Sequence, residues 1–349
     1  MKMKFTLVML MALFVSATAL ASSPLYPYMD SYRIPLDKKG AVIGKIFFST
    51  DLKMKIKYSI VQDTSKLFLI DNEGNLCLKP GKSVSAANGT MSYGIKVKTG
   101  NIIKEFELVK DEFLTNKAIA HRGAWKNTGS TENSLSSLKA AIELGCGASE
   151  FDVWMAADGV LVINHDPHAG ELEIEKTSSA DLTKVPLKKG DFVATLEQYL
   201  LTAKAQNKTA LVLEIKASLV SNERLLELTE KVVKMVHDLK MQAWVNYISF
   251  DHSCLLRVLD LDPAAKTAFL DKNMTLDQMK ESKMWGIDYN LSMFKDDPEL
   301  VKKAQNLGLT VNAWTVNKAE DMKMLLDRNI DYITTNEPEM LLNILKGNK

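Results

Sequence analysis

Apolar and polar residues alternate along the chain between residues 40 and 109. The alternation comes in short runs separated by turn residues, which is typical of strands with one face buried and the other in water. Between two of these runs, the segment DNEGN at 71–75 has the composition of a hairpin turn. Several short strands at regular spacing predict a small all-β sandwich over residues 24–112. The runs are GAVIGKIFFST, MKIKYSIV, KLFLID, NLCLKPG, MSYGIKVKTG and KEFELV.

From about residue 118 the pattern changes to apolar runs that alternate with segments of helical periodicity. Repeated strand–helix units predict a parallel sheet, and about eight strands in about 230 residues fit a closed (β/α)8 TIM barrel over residues 117–346. An open doubly wound sheet is the alternative, although no glycine-rich phosphate loop follows the first strand. The predicted strands are AIAHRG, ASEFDVW, GVLVINHD, TALVLEIKA, AWVNYISF, KTAFLD, GIDYN, LTVNAWTV and DYITTN. The predicted helices are 133–144, 196–205, 222–239, 297–305, 319–327 and 337–345.

The first residues have the pattern of an export signal. Lys2 and Lys4 precede a short apolar run, and Ala19-Leu20-Ala21 fits a small-x-small cleavage site. We therefore predict a signal peptide over residues 1–21 and an exported bacterial protein, periplasmic or secreted, with no transmembrane segment in the mature chain. An uncleaved membrane anchor is the alternative, and the shortness of the apolar run disfavours it.

The net charge and the cysteine count disfavour several classes of protein. The formal net charge of +1 becomes −1 once the two lysines of the signal are removed, because 42 basic residues then face 43 acidic ones. A nearly neutral chain is neither a typical nucleic-acid binder nor a polybasic membrane binder. The three cysteines, at 77, 146 and 254, are too few and too odd in number for a disulfide framework, so we interpret them as structural.

Polar residues gather where the predicted barrel strands end, the face on which barrel enzymes carry their active sites. His121 and Arg122 end the first strand, and His165 and Asp166 end the third. The other strand-end pairs are Glu150 and Asp152 on the second strand, Glu214 and Lys216 on the fourth, and Trp314 and Thr315 on a late one.

Glu150 and Asp152 share one face of their strand because side chains two residues apart point the same way. Glu214 repeats the arrangement on a neighbouring strand. Three carboxylates that converge in a buried place repel one another and are costly to desolvate unless a cation lies among them. Oxygen-only ligands suit Ca²⁺ or Mg²⁺ rather than Zn²⁺. The pattern therefore predicts a divalent-cation site.

Each of these residues also has an ordinary structural explanation. The EFD triplet alone is typical of a salt-bridged strand end, and a lone histidine at a strand end is more often a hydrogen-bonded structural residue. Lys216 is explained as the counter-charge of Glu214, and Asn133 as the N-cap of the first helix. Their recurrence at strand ends of one barrel favours the functional interpretation.

Taken in order, six motifs resemble those of the glycerophosphodiester phosphodiesterase family. The resemblance covers residues 117–345, and the ordered set is far more specific than any single motif. The strand order of the N-terminal segment more weakly resembles a cadherin-type or other immunoglobulin-like module. The six motifs are AHRG at 120–123, TENS at 131–134, GASEFDVWMAADGVLVINHD at 147–166, LEIK at 213–216, AWTVN at 313–317 and DYITTNEPE at 331–339.

The resemblance implies a TIM barrel that uses a divalent cation and two histidines. It makes His121 and His165 the general acid/base pair. It makes Glu150, Asp152 and Glu214 the ligands of the cation, Ca²⁺ or Mg²⁺.

The resemblance also implies a substrate site. Arg122 clamps the phosphate, Lys216 helps to bind it and Trp314 lines the pocket. The implied reaction is hydrolysis of a small glycerophosphodiester to glycerol 3-phosphate and an alcohol. Two routes are open: attack of the glycerol 2-hydroxyl on phosphorus, giving a cyclic intermediate, or direct attack of water.

Three departures from the family pattern stand out. Thr131 replaces the usual proline before the Glu-Asn pair, and Asn336 replaces the aspartate of the C-terminal Thr-Asp-x-Pro motif. Losing that carboxylate is expected to alter a helix cap or a contact to a site residue. The segment between His165 and Glu214 is short for the inserted subdomain that family members often carry, which predicts a more open site.

Two other functions compete with glycerophosphodiester hydrolysis. The same barrel could act on a lysophospholipid, as a lysophospholipase D, or on a phosphoinositide. An exposed apolar rim beside the mouth would favour this alternative, and the sequence shows no clear rim. A non-catalytic envelope protein that binds a phosphodiester is the second alternative, but both histidines and all three carboxylates are present. The N-terminal segment is interpreted as a docking or spacing module whose partner is unknown.

Overall fold

The computed structural model of the chain describes residues 26–48 and 56–347. The predicted signal peptide lies outside these residues. Eight strands in the N-terminal part form two four-stranded sheets, in the orders β1-β3-β6-β5 and β2-β8-β7-β4. They are β1 (Pro27–Met29), β2 (Arg33–Ile34), β3 (Val42–Phe48), β4 (Tyr58–Asp63), β5 (Phe68–Ile70), β6 (Asn75–Leu78), β7 (Ser92–Thr99) and β8 (Ile102–Lys110).

Strand alternation in this part buries one face of each sheet. Ile95 and Val97 on β7 are buried, whereas the intervening Lys96 is only partly buried. The rings of Phe68 on one sheet and Tyr93 on the other meet edge to face at 5.7 Å. Gly74 closes the β5–β6 hairpin with a positive φ of 86°, as glycine permits. The six predicted runs contain β3 to β8, whereas β1 and β2 were not predicted, and the assignment of these strands to a separate sandwich domain stays a prediction.

The second part confirms the parallel barrel. Its eight barrel strands follow the order β9-β10-β14-β15-β16-β17-β18-β19, and the barrel closes because β9 pairs with both β19 and β10. The strands in chain order are β9 (Ala118–Ala120), β10 (Ala148–Met155), β11 (Leu161–Ile163), β12 (His168–Ala169), β13 (Leu172–Glu173), β14 (Ala210–Ile215), β15 (Val245–Ser249), β16 (Lys266–Phe269), β17 (Gly286–Asn290), β18 (Thr310–Trp314) and β19 (Tyr332–Thr335).

One predicted barrel strand is wrong. The run GVLVINHD forms β11, which pairs antiparallel with the end of β10 and lies outside the barrel. Only the short turn around Gly159, with a positive φ of 81°, separates β10 from β11, so no helix can cross back and the chain must return as a hairpin. The third barrel strand is therefore β14, and β11 leads into a small extension with its own apolar cluster around Trp154 and Ile174.

Helices cover the outside of the barrel, and the six predicted ones are present with shifts of a few residues at their ends. Side-chain caps explain many of the starts, as at Thr195, which accepts a hydrogen bond from the Gln198 backbone amide. The helices are α1 (Leu135–Leu144), α2 (Ser179–Leu182), α3 (Leu196–Lys204), α4 (Asn222–Asp238), α5 (His252–Leu261), α6 (Leu276–Glu281), α7 (Leu291–Asp296), α8 (Leu300–Asn306), α9 (Ala319–Asp327) and α10 (Pro338–Gly347), with single 3-10 turns at Ile174–Lys176 and Lys188–Gly190.

The N-terminal sheets pack on the amino end of the barrel. Phe113 meets Trp244, which directly precedes β15, edge to face at 5.6 Å. The Arg33 Nε donates to the Ala243 carbonyl at 2.8 Å, and the Asn207 Nδ2 donates to the Lys110 carbonyl at 3.0 Å. All three barrel residues lie before the start of a strand. The N-terminal part is thus held at the end opposite to the carboxyl face.

Two further observations concern the sequence-based expectations. Cys77, Cys146 and Cys254 are free thiols, and the last two are buried. Within residues 26–48 and 56–347, no helix combines the length and the apolar character needed to cross a membrane.

Candidate active site at the carboxyl end of the barrel

Three buried carboxylates meet at the carboxyl ends of β10 and β14. Asp152 and Glu214 lie opposite each other in the parallel ladder, and Glu150 lies two residues before Asp152 on the same face of β10. Their exposed fractions are 3% for Glu150, 1% for Asp152 and 8% for Glu214. The intervening Phe151 points outward and stacks on the ring of Tyr199 from α3 at 4.1 Å. One oxygen from each carboxylate lies within 4.8 Å of the others.

Burial and mutual repulsion govern the charge of this cluster. Burial, with the charges of Asp152 and Glu214 added, raises the pKa of Glu150 well above its usual range. The same two causes, burial first and Asp152 second, raise the pKa of Glu214 to about 8. For Asp152, burial raises the pKa, but Lys216 and other cationic groups outweigh it and lower the pKa overall. The cluster therefore resists full ionisation without more positive charge.

A divalent cation fits these residues. All three side chains offer carboxylate oxygens, the ligands that Ca²⁺ and Mg²⁺ prefer. Asp152 Oδ1 is buried and accepts no hydrogen bond from any described residue. Two cationic side chains lie nearby: Lys216 Nζ is 2.8 Å from Glu214 Oε1 and 3.3 Å from Asp152 Oδ1, and Arg122 Nε is 3.9 Å from Asp152 Oδ2. Arg122 also pairs with Glu132, so these two charges do not neutralise three carboxylates and the cluster has room for additional positive charge.

Asn133 positions Asp152, and its prediction as the helix cap is wrong. The N-cap of α1 is Ser134, whose hydroxyl accepts from the Ser137 backbone amide. Asn133 is in the left-handed region, with φ at 53°, and its side chain turns inward. Its Nδ2 donates to Asp152 Oδ2 at 2.8 Å, while its Oδ1 accepts from the Asp152 backbone amide at 3.1 Å. Asn133 thereby fixes the orientation of the Asp152 carboxylate.

Replacing Asn133 with alanine should weaken the site and the fold together. Asp152 would lose a charge-assisted hydrogen bond in a buried place, at a cost of about 1–3 kcal/mol, and alanine tolerates the left-handed conformation less well than asparagine. We expect divalent-cation affinity and kcat/KM to fall about 10- to 100-fold, measured by calorimetric titration and by steady-state assay. Ser134→Ala is the matched control: it should cost about 1 kcal/mol of unfolding free energy and leave cation affinity unchanged. Equal cation affinities in the two variants would refute the role of Asn133.

His121 follows β9 directly and faces the carboxylate cluster. Its Nε2 lies 4.0 Å from Glu150 Oε2, and its Nδ1 lies 2.7 Å from Asn336 Oδ1. Because the amide oxygen only accepts, it selects the tautomer with the proton on Nδ1 and leaves Nε2 as an acceptor. Burial, reinforced by the charge of Arg122, lowers the pKa of His121 to about 4. The ring is therefore held as neutral imidazole.

Arg122 is built into a tight turn beside the cluster. Its φ of 56° is left-handed, and its backbone amide donates to Glu150 Oε2 at 2.8 Å. The guanidinium pairs with Glu132 at 2.7 Å, and its Nε is buried without a hydrogen-bond partner among the described residues. A Cβ on Gly123 would lie 2.3 Å from Ser137 Oγ, so only glycine lets this turn pack on α1.

His165 lies at the same cavity as His121, although it follows β11, which is not a strand of the barrel. The β11 hairpin returns the chain to the level of Asp152, whose carbonyl accepts from the Asn164 backbone amide at 3.1 Å. The Trp154 Nε1 donates to the His165 carbonyl at 3.2 Å and fixes the backbone there. The His165 Nδ1 lies 2.7 Å from Asp166 Oδ1. His165 therefore has a carboxylate partner, whereas His121 has a neutral one.

A cavity of about 160 Å³ opens between these groups. Trp314 forms part of its wall, held by a hydrogen bond of 2.9 Å from its Nε1 to the Asp288 carbonyl and by edge-to-face contact with Phe250 at 5.7 Å. The polar lining comprises His121, Arg122, Glu150, His165, Glu214, Lys216, Asp288, Thr315 and Thr334, and the apolar lining comprises Ile248, Phe250, Leu270 and Trp314.

Asp288 is a buried carboxyl in this wall that sequence reasoning missed. Its side chain is 3% exposed and accepts a hydrogen bond of 2.7 Å from the Asn312 Nδ2. Burial raises the pKa of Asp288 from 3.8 to about 7, and the bond from Asn312 offsets only part of this rise. The carboxyl is therefore neutral in acid and becomes a buried charge above neutrality.

The raised pKa of Asp288 makes the free energy of unfolding depend on pH. The contribution of such a carboxyl to stability is complete below the pKa that it has in the unfolded chain, and it is lost as the pH rises through the folded-state value of about 7. Between pH 4 and pH 8 the loss from Asp288 should approach about 4 kcal/mol. The Asp288→Asn variant has no carboxyl to ionise at this position. Its free energy of unfolding, measured with urea at pH 5 and pH 8, should therefore rise with pH relative to that of the parent. A difference that stays constant between the two pH values would contradict the raised pKa.

The structure thus brings all eight predicted site residues to the carboxyl face. His121, His165, Glu150, Glu214, Arg122, Lys216 and Trp314 line one cavity, and Asp152 lies behind it in the carboxylate cluster. Sequence reasoning missed the contributions of Asn133, Phe250 and Asp288. The TENS motif contained a signal for Asn133, but its position before a helix pointed to a cap.

The barrel part of the chain is similar in sequence to known proteins. A model of the glycerophosphoryl diester phosphodiesterase family matches residues 121–340, so the match begins at His121 and leaves the N-terminal sheets outside. A glycerophosphodiester phosphodiesterase from Caldanaerobacter subterraneus subsp. tengcongensis is 29% identical over 242 residues, which is 65% of this chain and 97% of that protein.

Solved structures share the fold. The crystal structure of a glycerophosphodiester phosphodiesterase from Parabacteroides distasonis is 35% identical, covers 68% of this chain and 99% of its own, and superposes with a TM-score of 0.65. A phosphodiesterase from Oleispira antarctica, solved in complex with the product sn-glycerol-3-phosphate, is 23% identical, with a TM-score of 0.58 over 66% of this chain and 97% of its own. At that identity the second likeness shows the fold alone.

Proposed function

Because the chain belongs to the glycerophosphoryl diester phosphodiesterase family and is a glycerophosphodiester phosphodiesterase, we propose that it hydrolyses its substrates with one divalent cation and a pair of histidines. The observation that carries this proposal is the convergence of Glu150, Asp152 and Glu214 within 4.8 Å. His121 and His165 line the cavity beside this cluster. Groups that would hold a cation and groups that would move protons thus lie at one cavity.

The cation would be held by Glu150, Asp152 and Glu214. When bound, Ca²⁺ or Mg²⁺ supplies stabilisation of the negative charge that develops on the phosphoryl oxygens. The chain contributes the remaining positive charge. Lys216 lies beside the cluster and Arg122 lines the cavity, so both can meet phosphate oxygens there. Trp314 offers an apolar wall for the carbon skeleton of the substrate.

The hydrogen-bond partners of the two histidines suggest their roles. Asn336 holds His121 with an unprotonated Nε2, which suits a base that takes a proton from the attacking hydroxyl group. The Asp166 carboxylate lies 2.7 Å from His165 Nδ1 and orients the ring, which suits an acid that donates a proton from Nε2 to the departing alcohol oxygen. The attacking group is the glycerol 2-hydroxyl in the cyclic route and water in the direct route. In the cyclic route the two histidines exchange roles in the second step.

The products test the function and the route. Glycerophosphocholine and glycerophosphoethanolamine should each give glycerol 3-phosphate and the free alcohol, separated by chromatography. Formation of glycerol and a phosphorylated alcohol instead would contradict the proposal, since the other P–O bond would then have been cut. An analogue without the 2-hydroxyl group decides the route: it is hydrolysed if water attacks directly and inert if the 2-hydroxyl attacks.

Export and domain organisation complete the proposal. The pattern of residues 1–21 supports a cleaved signal and a periplasmic or secreted enzyme. The two N-terminal sheets support a small sandwich domain that acts as a spacer or docking module, since they lie at the end of the barrel away from the cavity.

A further inference from the structure

The two histidines of the site lie on different parts of the fold. His121 directly follows the barrel strand β9, whereas His165 follows β11 in the small extension outside the barrel. The side chain of His165 is 37% exposed and that of its partner Asp166 is 75% exposed, so the place of this ring depends mainly on its backbone. The distance between the two histidines therefore depends on how the extension is held against the barrel.

A buried carboxylate, Glu175, joins the extension to the barrel. It lies in the 3-10 turn Ile174–Lys176 of the extension and is only 8% exposed. It accepts a hydrogen bond from Ser218 Oγ at 2.6 Å and one from the Leu219 backbone amide at 2.8 Å, both in the loop after β14. The Arg224 Nε, on α4, donates to the same carboxylate at 3.1 Å. We call Glu175, Ser218 and Arg224 the Glu175 cluster.

Arg224 joins a third segment to the Glu175 cluster. Its Nη2 donates to the carbonyls of Met155 at 3.1 Å and of Ala156 at 2.7 Å, at the end of β10. A planar guanidinium can serve these carbonyls and a carboxylate at once because its donors point in fixed directions. Asp152 lies on β10 and Glu214 on β14, so the extension is tied to the ends of both strands that carry the buried carboxylates of the site.

Backbone hydrogen bonds connect the Glu175 cluster to His165. The backbone amide of Ile174, the residue before Glu175, donates to the Pro167 carbonyl at 2.9 Å. Between these two positions the chain forms the antiparallel pair β12 and β13. Pro167 lies two residues after His165, so a displacement of Glu175 is passed to the turn that carries the histidine.

We propose that the Glu175 cluster positions His165 for proton transfer. The inference rests on the proposed function, because it takes His165 as the acid. As the P–O bond to the alcohol breaks, its electron pair stays on the alcohol oxygen, and that oxygen takes the proton of His165. Misplacing such a group by about 1 Å can cost about 100-fold in rate. Glu175 and Arg224 do not line the cavity, so they are positioning residues rather than catalytic ones.

Two leaving groups separate the positioning of an acid from a general loss of stability. Choline leaves as a strongly basic alkoxide that needs a proton, whereas p-nitrophenolate is a weak base and leaves without one. Alcohol release is measured as kcat/KM, which reports only the steps up to loss of the alcohol, before the histidines exchange roles. The substrates are glycerophosphocholine and the p-nitrophenyl ester of glycerol 3-phosphate.

Glu175→Gln keeps the shape of the side chain and an oxygen for Ser218, but it removes the charge opposite Arg224. We expect kcat/KM to fall about 10- to 100-fold on glycerophosphocholine and to stay within about threefold on the p-nitrophenyl ester. Ser218→Ala removes a single hydrogen bond and should show the same selectivity with a smaller loss, which keeps the test valid if Glu175→Gln does not fold.

Glu107→Gln is the matched control. Glu107 also accepts from a hydroxyl group, Ser92 Oγ at 2.9 Å, and from a cation, Lys204 Nζ at 2.9 Å. These contacts join the N-terminal strands β7 and β8 to α3 and have no connection to the turn that carries His165. The control variant should leave the ratio of the two kcat/KM values unchanged.

A double-mutant cycle with His165→Ala completes the experiment. In the His165→Ala background, Glu175→Gln should change kcat/KM on glycerophosphocholine by no more than about twofold, because the group that it positions is gone. Equal losses on both substrates in His165→Ala itself would overturn the role of His165 in the proposed function. A selective loss in His165→Ala, combined with an unselective or fully additive effect of Glu175→Gln, would overturn the inference alone.

Discussion

Replacing His121 with alanine is expected to lower kcat about 10²- to 10⁴-fold, the usual contribution of a positioned acid or base. His121 lies 4.0 Å from Glu150 and is the histidine whose neutral amide partner leaves Nε2 free to accept a proton. No other described side chain of the cavity offers an imidazole except His165, which sits on the β11 side. The assay is release of glycerol 3-phosphate at saturating substrate, with circular dichroism to verify the fold.

A histidine outside the cavity, His168, provides the control for this experiment. His168 lies three residues after His165, is exposed, and does not line the cavity. His168→Ala should retain at least half of the parent activity, while His165→Ala should lose about as much as His121→Ala. Normal turnover in the His121 variant, with the fold intact, would remove this residue from the chemistry and with it the assignment of the acid/base pair.

Replacing Glu150 with glutamine is expected to abolish turnover and, without metal, to stabilise the fold. Glutamine keeps the shape of the side chain but removes one of three buried carboxylates that repel one another. In EDTA the variant should therefore unfold at a higher temperature than the parent, by several degrees for about 1–2 kcal/mol. With saturating Ca²⁺ or Mg²⁺ the order should reverse, because the parent gains binding free energy that the variant lacks.

The diagnostic result is that Glu150→Gln unfolds at a higher temperature than the parent in EDTA and at a lower temperature than the parent with metal. A merely structural glutamate would lose stability on replacement in both conditions. Glu143→Gln, on the exposed face of α1, serves as the control and should leave the difference between EDTA and metal unchanged. Turnover by Glu150→Gln that equals that of the parent at every metal concentration would eliminate Glu150 as a ligand.

The sequence predicted the barrel and the cluster for one physical reason. Side chains two residues apart on a strand share a face, and parallel strands all end on one side, so Glu150, Asp152 and Glu214 had to meet if their strands paired. The parallel register of Asp152 with Glu214 is the result. Local alternation and strand order were sufficient for this part of the site.

Other features depend on contacts that no local pattern shows. The β11 run has the composition of a buried strand, and periodicity cannot tell its direction, which the short Gly159 turn decides. Asn133 looks like a helix cap from its position, but its left-handed backbone turns its side chain to Asp152. Asn336 lies 215 residues after its partner His121, so their hydrogen bond is visible only once the barrel closes.

The most direct test of the central claim is release of glycerol 3-phosphate from glycerophosphocholine by the parent protein and the His121→Ala variant, in EDTA and after addition of Ca²⁺ or Mg²⁺. The carboxylate cluster and the histidine pair predict release by the parent that EDTA stops and the cation restores, and almost none by the variant in any condition. Release that persists in EDTA, or that the variant performs as fast as the parent, would contradict the account of this site.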